Sequence, residues 1–300
     1  MKNTGKGEAS LVIGANGLVG RHLSGILTLK GISWKGTYHA RPEKGLSKLD
    51  ITDPGEVGNF FEGLSPRVVF HCANLGGGVD FCESNPEKAA AFHLHAVQTI
   101  GGICAKIGAT LVFISSDYVF DGTKGPYKED DLPNPLNVYG RLKLAAEEWI
   151  GKNVESHIII RTTNVFGWDP ETVTPNYMMG LYRAVTAGKQ FNAPSYLWGN
   201  PTYVDDLAGA MIELYQKKAG GVFHVVGKSF VNRFDWAKTA CAILGLDSKL
   251  IREVSAPPVN MVPRPIESSL NTDKFAHFYG TVLHDVREGL GLMKKEMKGR

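Results

Sequence analysis

Short β-rich runs, most of them largely apolar, recur along the chain: SLVIG (10–14), ISWKGTY (32–38), RVVFHCA (67–73), TLVFIS (110–115) and HIIIRT (157–162). Segments with helical patterning separate them. A strand with no polar alternation is covered on both faces, so this order predicts a parallel sheet with helices on both sides. The fold class expected is α/β, a Rossmann-type doubly wound parallel sheet. After Arg161 the alternation loosens into segments containing Pro, Gly and aromatic residues, and one later run, GVFHVVG (221–227), returns to the sheet. Two lobes follow from this, the second and smaller one built from C-terminal pieces that interrupt the first.

Composition narrows the classes. With 300 residues, 43% hydrophobic and 21% charged, the chain reads as an ordinary globular protein with a sizeable core. The net charge of +3 is small and spread out, which argues against a nucleic-acid or membrane surface. Four cysteines form no CxxC pair, so neither a disulfide framework nor a zinc site is expected. The N-terminus carries no apolar signal region and no run has the length of a membrane span. A cytoplasmic location is the expectation.

GANGLVG (Gly14 to Gly20) stands between the opening strand and a helix carrying Leu23, Ile26 and Leu27. Glycines at its first, fourth and seventh places permit a tight turn, close approach of backbone N–H groups to a pyrophosphate, and close packing of helix on sheet. Gly14, Asn16, Gly17, Leu18, Val19 and Gly20 are therefore assigned to a dinucleotide. That assignment makes 1–166 a dinucleotide-binding domain, rejoined by about 200–227, and makes 167–199 and 228–300 a substrate-binding lobe.

The second strand ends GTYHARP and offers no Asp or Glu for the two adenosine ribose hydroxyls. His39 and Arg41 stand there instead. A cation suits a 2′-phosphate, so NADP(H) is favoured over NAD(H). Asp50 in KLDITD, followed by Ile51, is placed either at the adenine amino group or as an N-cap or turn carboxylate.

SSDYVFDG (115–122) crowds hydroxyls, a carboxylate and a phenol at the end of an apolar strand, the edge where ligands sit in an open α/β sheet. One βα unit later, NPLNVYGRLKLAAEEWI (134–150) reads as a helix entered after Pro135. Its Tyr139 and Lys143 are four residues apart, which puts phenol and ammonium on one face.

These segments, with RTTNVFG (161–167), GNPTYVDDLA (199–208) and RPIESSLNTDKF (264–275), resemble the extended short-chain dehydrogenase/reductase family, within it the dTDP-4-dehydrorhamnose reductases. The resemblance implies Tyr139 as general acid, Lys143 holding the nicotinamide ribose and depressing the phenol's pKa, and Ser116 bonding the reacting oxygen. It also implies Ala73 and Asn74 beside the cofactor, and Ser116, Asp117, Asn164 and Arg264 on the substrate, with Ser268 and Ser269 as further donors. The implied reaction is NADPH-dependent reduction of a nucleotide-linked 4-keto-6-deoxy sugar by a homodimer. Asp117-Tyr118 replaces the Asp-Glu pair of the family's dehydratases, which disfavours dehydration. An epimerase remains an alternative. So does a non-catalytic dinucleotide-binding subunit resembling the β subunit of methionine adenosyltransferase.

Three positions depart from the reductase pattern. Asn164 replaces a Trp that packs on the sugar. His22 replaces a Glu that helps bind magnesium in some bacterial members, so no metal is expected. The triglycine Gly76-Gly77-Gly78 departs near the nicotinamide and is expected to be a flexible loop.

Overall fold

The computed structural model describes residues 9–171 and 175–299. Its main sheet has seven strands: β1 (Ser10–Ile13), β2 (Trp34–Tyr38), β3 (Ser47–Lys48), β4 (Val68–His71), β5 (Thr110–Ser116), β6 (His157–Thr162) and the strand Gly221–His224. They lie side by side in the order β3-β2-β1-β4-β5-β6 followed by Gly221–His224. The order reverses between β1 and β4, both of which pair in parallel with β1's register Ser10 to Val68 and Ile13 to His71. That reversal opens the crevice in which doubly wound sheets bind ligands. The strands fall on the apolar runs because a strand buried on both faces can carry no polar side chain cheaply. β1 and β4 are buried at every position.

Helices α1 (Leu18–Leu29), α2 (Pro54–Phe61), α3 (Gly78–Ser84), α4 (Pro86–Ala90), α5 (Ala96–Ile107) and α6 (Val138–Asn153) follow the first strands. Leu11, Ile13, Val69, Leu111 and Phe113 from the sheet meet Val57, Ile100, Ala146 and Ile150 from the helices in one apolar core. α2 is capped by Asp53, whose side chain accepts from the N–H groups of Gly55 and Glu56. Between α4 and α5 the residues Ala91–His95 form a π-helical turn, a geometry found mostly where a side chain is being re-aimed.

The described residues divide into two compact units: 9–115, 137–160 and 208–223 form the first, and 116–136, 161–171, 175–207 and 224–299 the second. The expected domains are 1–166 rejoined by about 200–227, and 167–199 with 228–300; in the compact units 116–136 goes with the second. The segment 116–136 leaves the sheet because its backbone pairs with the C-terminal region of its own unit. Tyr127 N–H donates to the Ser269 carbonyl at 2.9 Å, and Asn271 N–H to the Tyr127 carbonyl at 2.7 Å. The triglycine is also better described than as a loop. Gly77 (φ 88) is the N-cap of α3 and Gly78 (φ 62) its first residue. A Cβ at Gly77 would come within 2.6 Å of Phe81 Cβ, so the turn into α3 requires glycine there.

Candidate functional site

In the first unit the glycine loop joins β1 to α1. Gly14 has φ 77, and a Cβ on it would lie 2.8 Å from the Ala73 backbone, which places Ala73 against the loop. A Cβ on Gly20 would overlap the Gly14 carbonyl oxygen, so the third glycine lets the helix close on its own loop. Gly17 is the N-cap of α1 and has no side chain to satisfy the first N–H groups, and the first turn holds no acid. Leu18 and Val19 open the helix half-buried. The result is a helix N-terminus whose positive end is not cancelled by a carboxylate. Asn16 serves the loop itself: its amide donates to the Arg41 carbonyl at 3.0 Å, tying the loop to the segment that follows β2.

Around the expected ribose end, His39 is 68% exposed and lies 3.5 Å from the Asp50 carboxylate. Asp50 is a turn carboxylate. It accepts from Thr52 N–H at 2.9 Å and Thr52 Oγ1 at 2.7 Å, and these bonds, the side-chain one foremost, lower its pKa. The helix N-cap role falls to Asp53 three residues on. Ile51 is buried in the apolar core, while Asn74 is exposed.

α6 presents the phenol and ammonium. Asn137, fully buried, caps it by accepting from Gly140 N–H at 2.9 Å. Val138 N–H donates to Glu83 of α3 at 2.9 Å, which fixes where the helix starts. Its buried face carries Gly140, Lys143, Ala146, Glu147 and Ile150. Lys143 lies within this face, its Nζ donating to the Ile114 carbonyl at 2.9 Å and standing 4.7 Å from the Phe113 ring centroid and 5.8 Å from that of Tyr139. Burial lowers its pKa to about 8, against which the Glu147 carboxylate acts. Two further rings close round this pair. His93, from the π-helical turn, packs edge-on against Tyr139 with centroids 5.2 Å apart, and His71 at the end of β4 packs likewise on Phe113 at 5.8 Å. Burial first, and then the Lys143 charge, hold both imidazoles neutral, His71 at about 4 and His93 at about 2. Nothing in the sequence spacing pointed to either. The signal available was a His inside each of two otherwise apolar segments.

In the second unit Ser116 and Asp117 are buried. Ser116 Oγ donates to Asp117 Oδ1 at 2.9 Å and accepts from Tyr118 N–H at 3.2 Å. Ser268 Oγ donates to the other carboxylate oxygen of Asp117. Burial raises the Asp117 pKa, opposed by hydrogen bonds from Ser268, Ser116 and Thr163 and by the charge of Arg233. In this structure the Ser268 hydroxyl, expected as a pyrophosphate donor, bonds Asp117. Ser115, by contrast, is a buried hydroxyl with no hydrogen-bond partner.

Asp117, Asn164, Trp198, Arg233 and Ser268 line one concavity of this unit. Arg264 is half-buried, its Nε donating to the Val262 carbonyl at 3.3 Å. Arg233 and Trp198 were not singled out from sequence. For Arg233 a signal existed, since a cation in the first turn of a helix opposes the macrodipole and asks for a reason. Elsewhere in the unit Tyr203 donates to Asp205 at 3.2 Å and to Glu296, and burial with these acids raises its pKa. No helix among the described residues is long and apolar enough to cross a membrane.

Residues 9–298 match the family described as the RmlD substrate binding domain. Among curated proteins the chain is 31% identical over 276 residues to methionine adenosyltransferase 2 subunit beta of Xenopus tropicalis, covering 89% of this chain and 81% of that one. It is 30% identical over 285 residues to dTDP-4-dehydrorhamnose reductase of Mycolicibacterium smegmatis, covering 93% and 83%. Among solved structures, dTDP-4-dehydrorhamnose reductase of Bacillus anthracis in complex with NADP is similar with a TM-score of 0.85 at 26% identity, covering 96% of this chain and 99% of that one.

Proposed function

Because the chain belongs to the RmlD substrate binding domain family of extended short-chain dehydrogenase/reductases, we propose that it is an NADPH-dependent reductase of a nucleotide-linked 4-keto-6-deoxy sugar, with dTDP as the nucleotide. The observation that carries this reading is the pairing of half-buried Tyr139 with buried Lys143, its Nζ 5.8 Å from the Tyr139 ring centroid, on α6 of the unit that also holds the glycine loop. The loop fits a dinucleotide: side chains are sterically excluded at Gly14 and Gly20, and the first turn of α1 holds no acid. When bound, the nicotinamide cofactor supplies the hydride.

The chain's own residues supply the proton and the charge. Reduction of a ketone puts negative charge on its oxygen, and the Tyr139 hydroxyl delivers the proton there. A free phenol has a pKa of about 10, and a neighbouring ammonium makes it a better donor by stabilising the phenolate. With its pKa at about 8, Lys143 is charged at neutral pH, and its bond to Ile114 holds it in place. The neutral states of His71 and His93 leave that ammonium without a competing cation from either ring.

The absence of an acid after β2, with Arg41 and His39 in its place, supports NADP(H) over NAD(H). Arg41→Ala is expected to weaken NADPH binding about tenfold or more while NADH binding changes little, because a charge-assisted phosphate contact is worth about 1.5 to 3 kcal/mol. Fluorescence titration of both cofactors measures this, and equal losses would remove the preference.

The likeness to methionine adenosyltransferase 2 subunit beta favours a second reading, a dinucleotide-binding subunit without turnover. One experiment separates the two. The chain is incubated with NADPH and dTDP-, UDP- and GDP-linked 4-keto sugars, with absorbance loss followed and products identified. Reduction of the dTDP-linked ketone is the expected result. Tight NADPH binding with no oxidation by any of the sugars would assign the second reading.

A further inference from the structure

No acid stands at the end of β2 itself, but Glu43 follows on the segment that carries His39 and Arg41. Its carboxylate is half-buried and already engaged. Arg21, on α1, meets both oxygens with its two terminal nitrogens, Nη1 donating to Oε1 at 3.1 Å and Nη2 to Oε2. The third donor of the same guanidinium, Nε, reaches the Asn16 carbonyl of the glycine loop at 3.2 Å. Asn16 in turn donates from its side chain to the Arg41 carbonyl at 3.0 Å. Farther back, Gly14 N–H donates to Thr37 Oγ1 at 3.2 Å and Ala15 N–H to the Thr37 carbonyl at 2.8 Å. One guanidinium thus closes a ring of bonds through the loop, α1 and the segment after β2. The other acid at this end, Asp50, is turned to the N–H and hydroxyl of Thr52.

A carboxylate at the ribose end of a dinucleotide loop acts in a definite sense. It accepts from the two ribose hydroxyls of NAD(H), and it repels the 2′-phosphate of NADP(H), a monoester carrying about 1.5 to 2 negative charges at neutral pH. A guanidinium fork occupies both carboxylate oxygens at once, which a single ammonium does not. We propose that Arg21 is a positioning residue that sets cofactor preference by sequestering Glu43. With both oxygens held in the fork, the acid neither bonds the ribose hydroxyls nor opposes Arg41 at the phosphate. An acid two residues past Arg41 is thereby compatible with NADP(H). This deepens the NADP(H) reading above and rests on it.

The test is calorimetric titration of the full chain with NADPH and with NADH, for the native sequence, Arg21→Met, Glu43→Gln and the double variant. Arg21→Met is expected to lower the ratio of NADPH to NADH affinity about tenfold or more, because the released carboxylate then faces the phosphate. Glu43→Gln alone is expected to keep or raise the native ratio. The double variant is expected to regain it, since the acid that Arg21 restrains is gone, whereas a purely structural role for Arg21 would not be cured by removing its partner. Arg21→Gln keeps a donor for the Asn16 carbonyl while dropping the charge, and it gives the same reading if thermal melting shows the Met variant unfolded. A ratio that stays native without the Arg21 charge overturns the proposal. So does a fallen ratio that Glu43→Gln fails to restore, which would put Arg21 itself on the phosphate. If the native chain binds both cofactors without preferring NADPH, the NADP(H) reading fails and this inference with it; if it binds neither, the dinucleotide reading fails.

Discussion

Replacing Tyr139 with Phe is expected to lower turnover of the dTDP-4-keto sugar by about 10² or more while NADPH binding survives, since positioned proton transfer contributes roughly 10² to 10⁴. The substitution removes one oxygen and keeps the ring. The edge-on contact with His93 at 5.2 Å and the approach of the Lys143 ammonium to 5.8 Å both involve the ring, so they remain. Steady-state kinetics with the product identified, alongside a fluorescence titration of NADPH, separates the loss of the proton donor from a loss of binding. Near-native turnover in the Phe variant would take Tyr139 out of the mechanism.

A second large effect is expected in the pH dependence. Turnover should be flat below about pH 8 and fall about tenfold per unit above it, because the Lys143 pKa is lowered to about 8 by burial. The sign follows from which form acts. The ammonium stabilises the phenolate, the ammonium exists below its pKa, and so activity is present on the acid side and lost as pH rises through that value. Lys143→Met keeps an unbranched apolar stem but removes the charge and the donor to Ile114. It should lower turnover by about 10² or more and abolish the alkaline limb. An alkaline limb that persists unchanged in the Met variant would show that some other group titrates there.

The chain's local periodicities carried much of the fold. Five β-rich runs became β1, β2, β4, β5 and β6, and in β1 and β4 burial on both faces is written in consecutive residues. The spacing of Tyr139 and Lys143 on a helix was legible for the same reason, as was the glycine loop before α1. The boundary between the units was not. Residues 116–136 read as part of the first half by position, yet their backbone partners lie at 269 and 271, a pairing no local window contains.

What the sequence by itself determined is therefore the class of sheet, the loop that opens it, and the helix face on which phenol and ammonium stand. These depend on residues within a turn or two of one another, where geometry is set by 2.0 and 3.6 residue periods. Tertiary structure alone decided that Ser268 holds Asp117 across 151 positions, that Arg233 bonds Asn164 across 69, and that His71 and His93 are neutral beside Lys143. The physical reason is that burial and charge act through space. A carboxyl or imidazole takes its protonation state from whatever the folded chain brings to it, however distant in sequence.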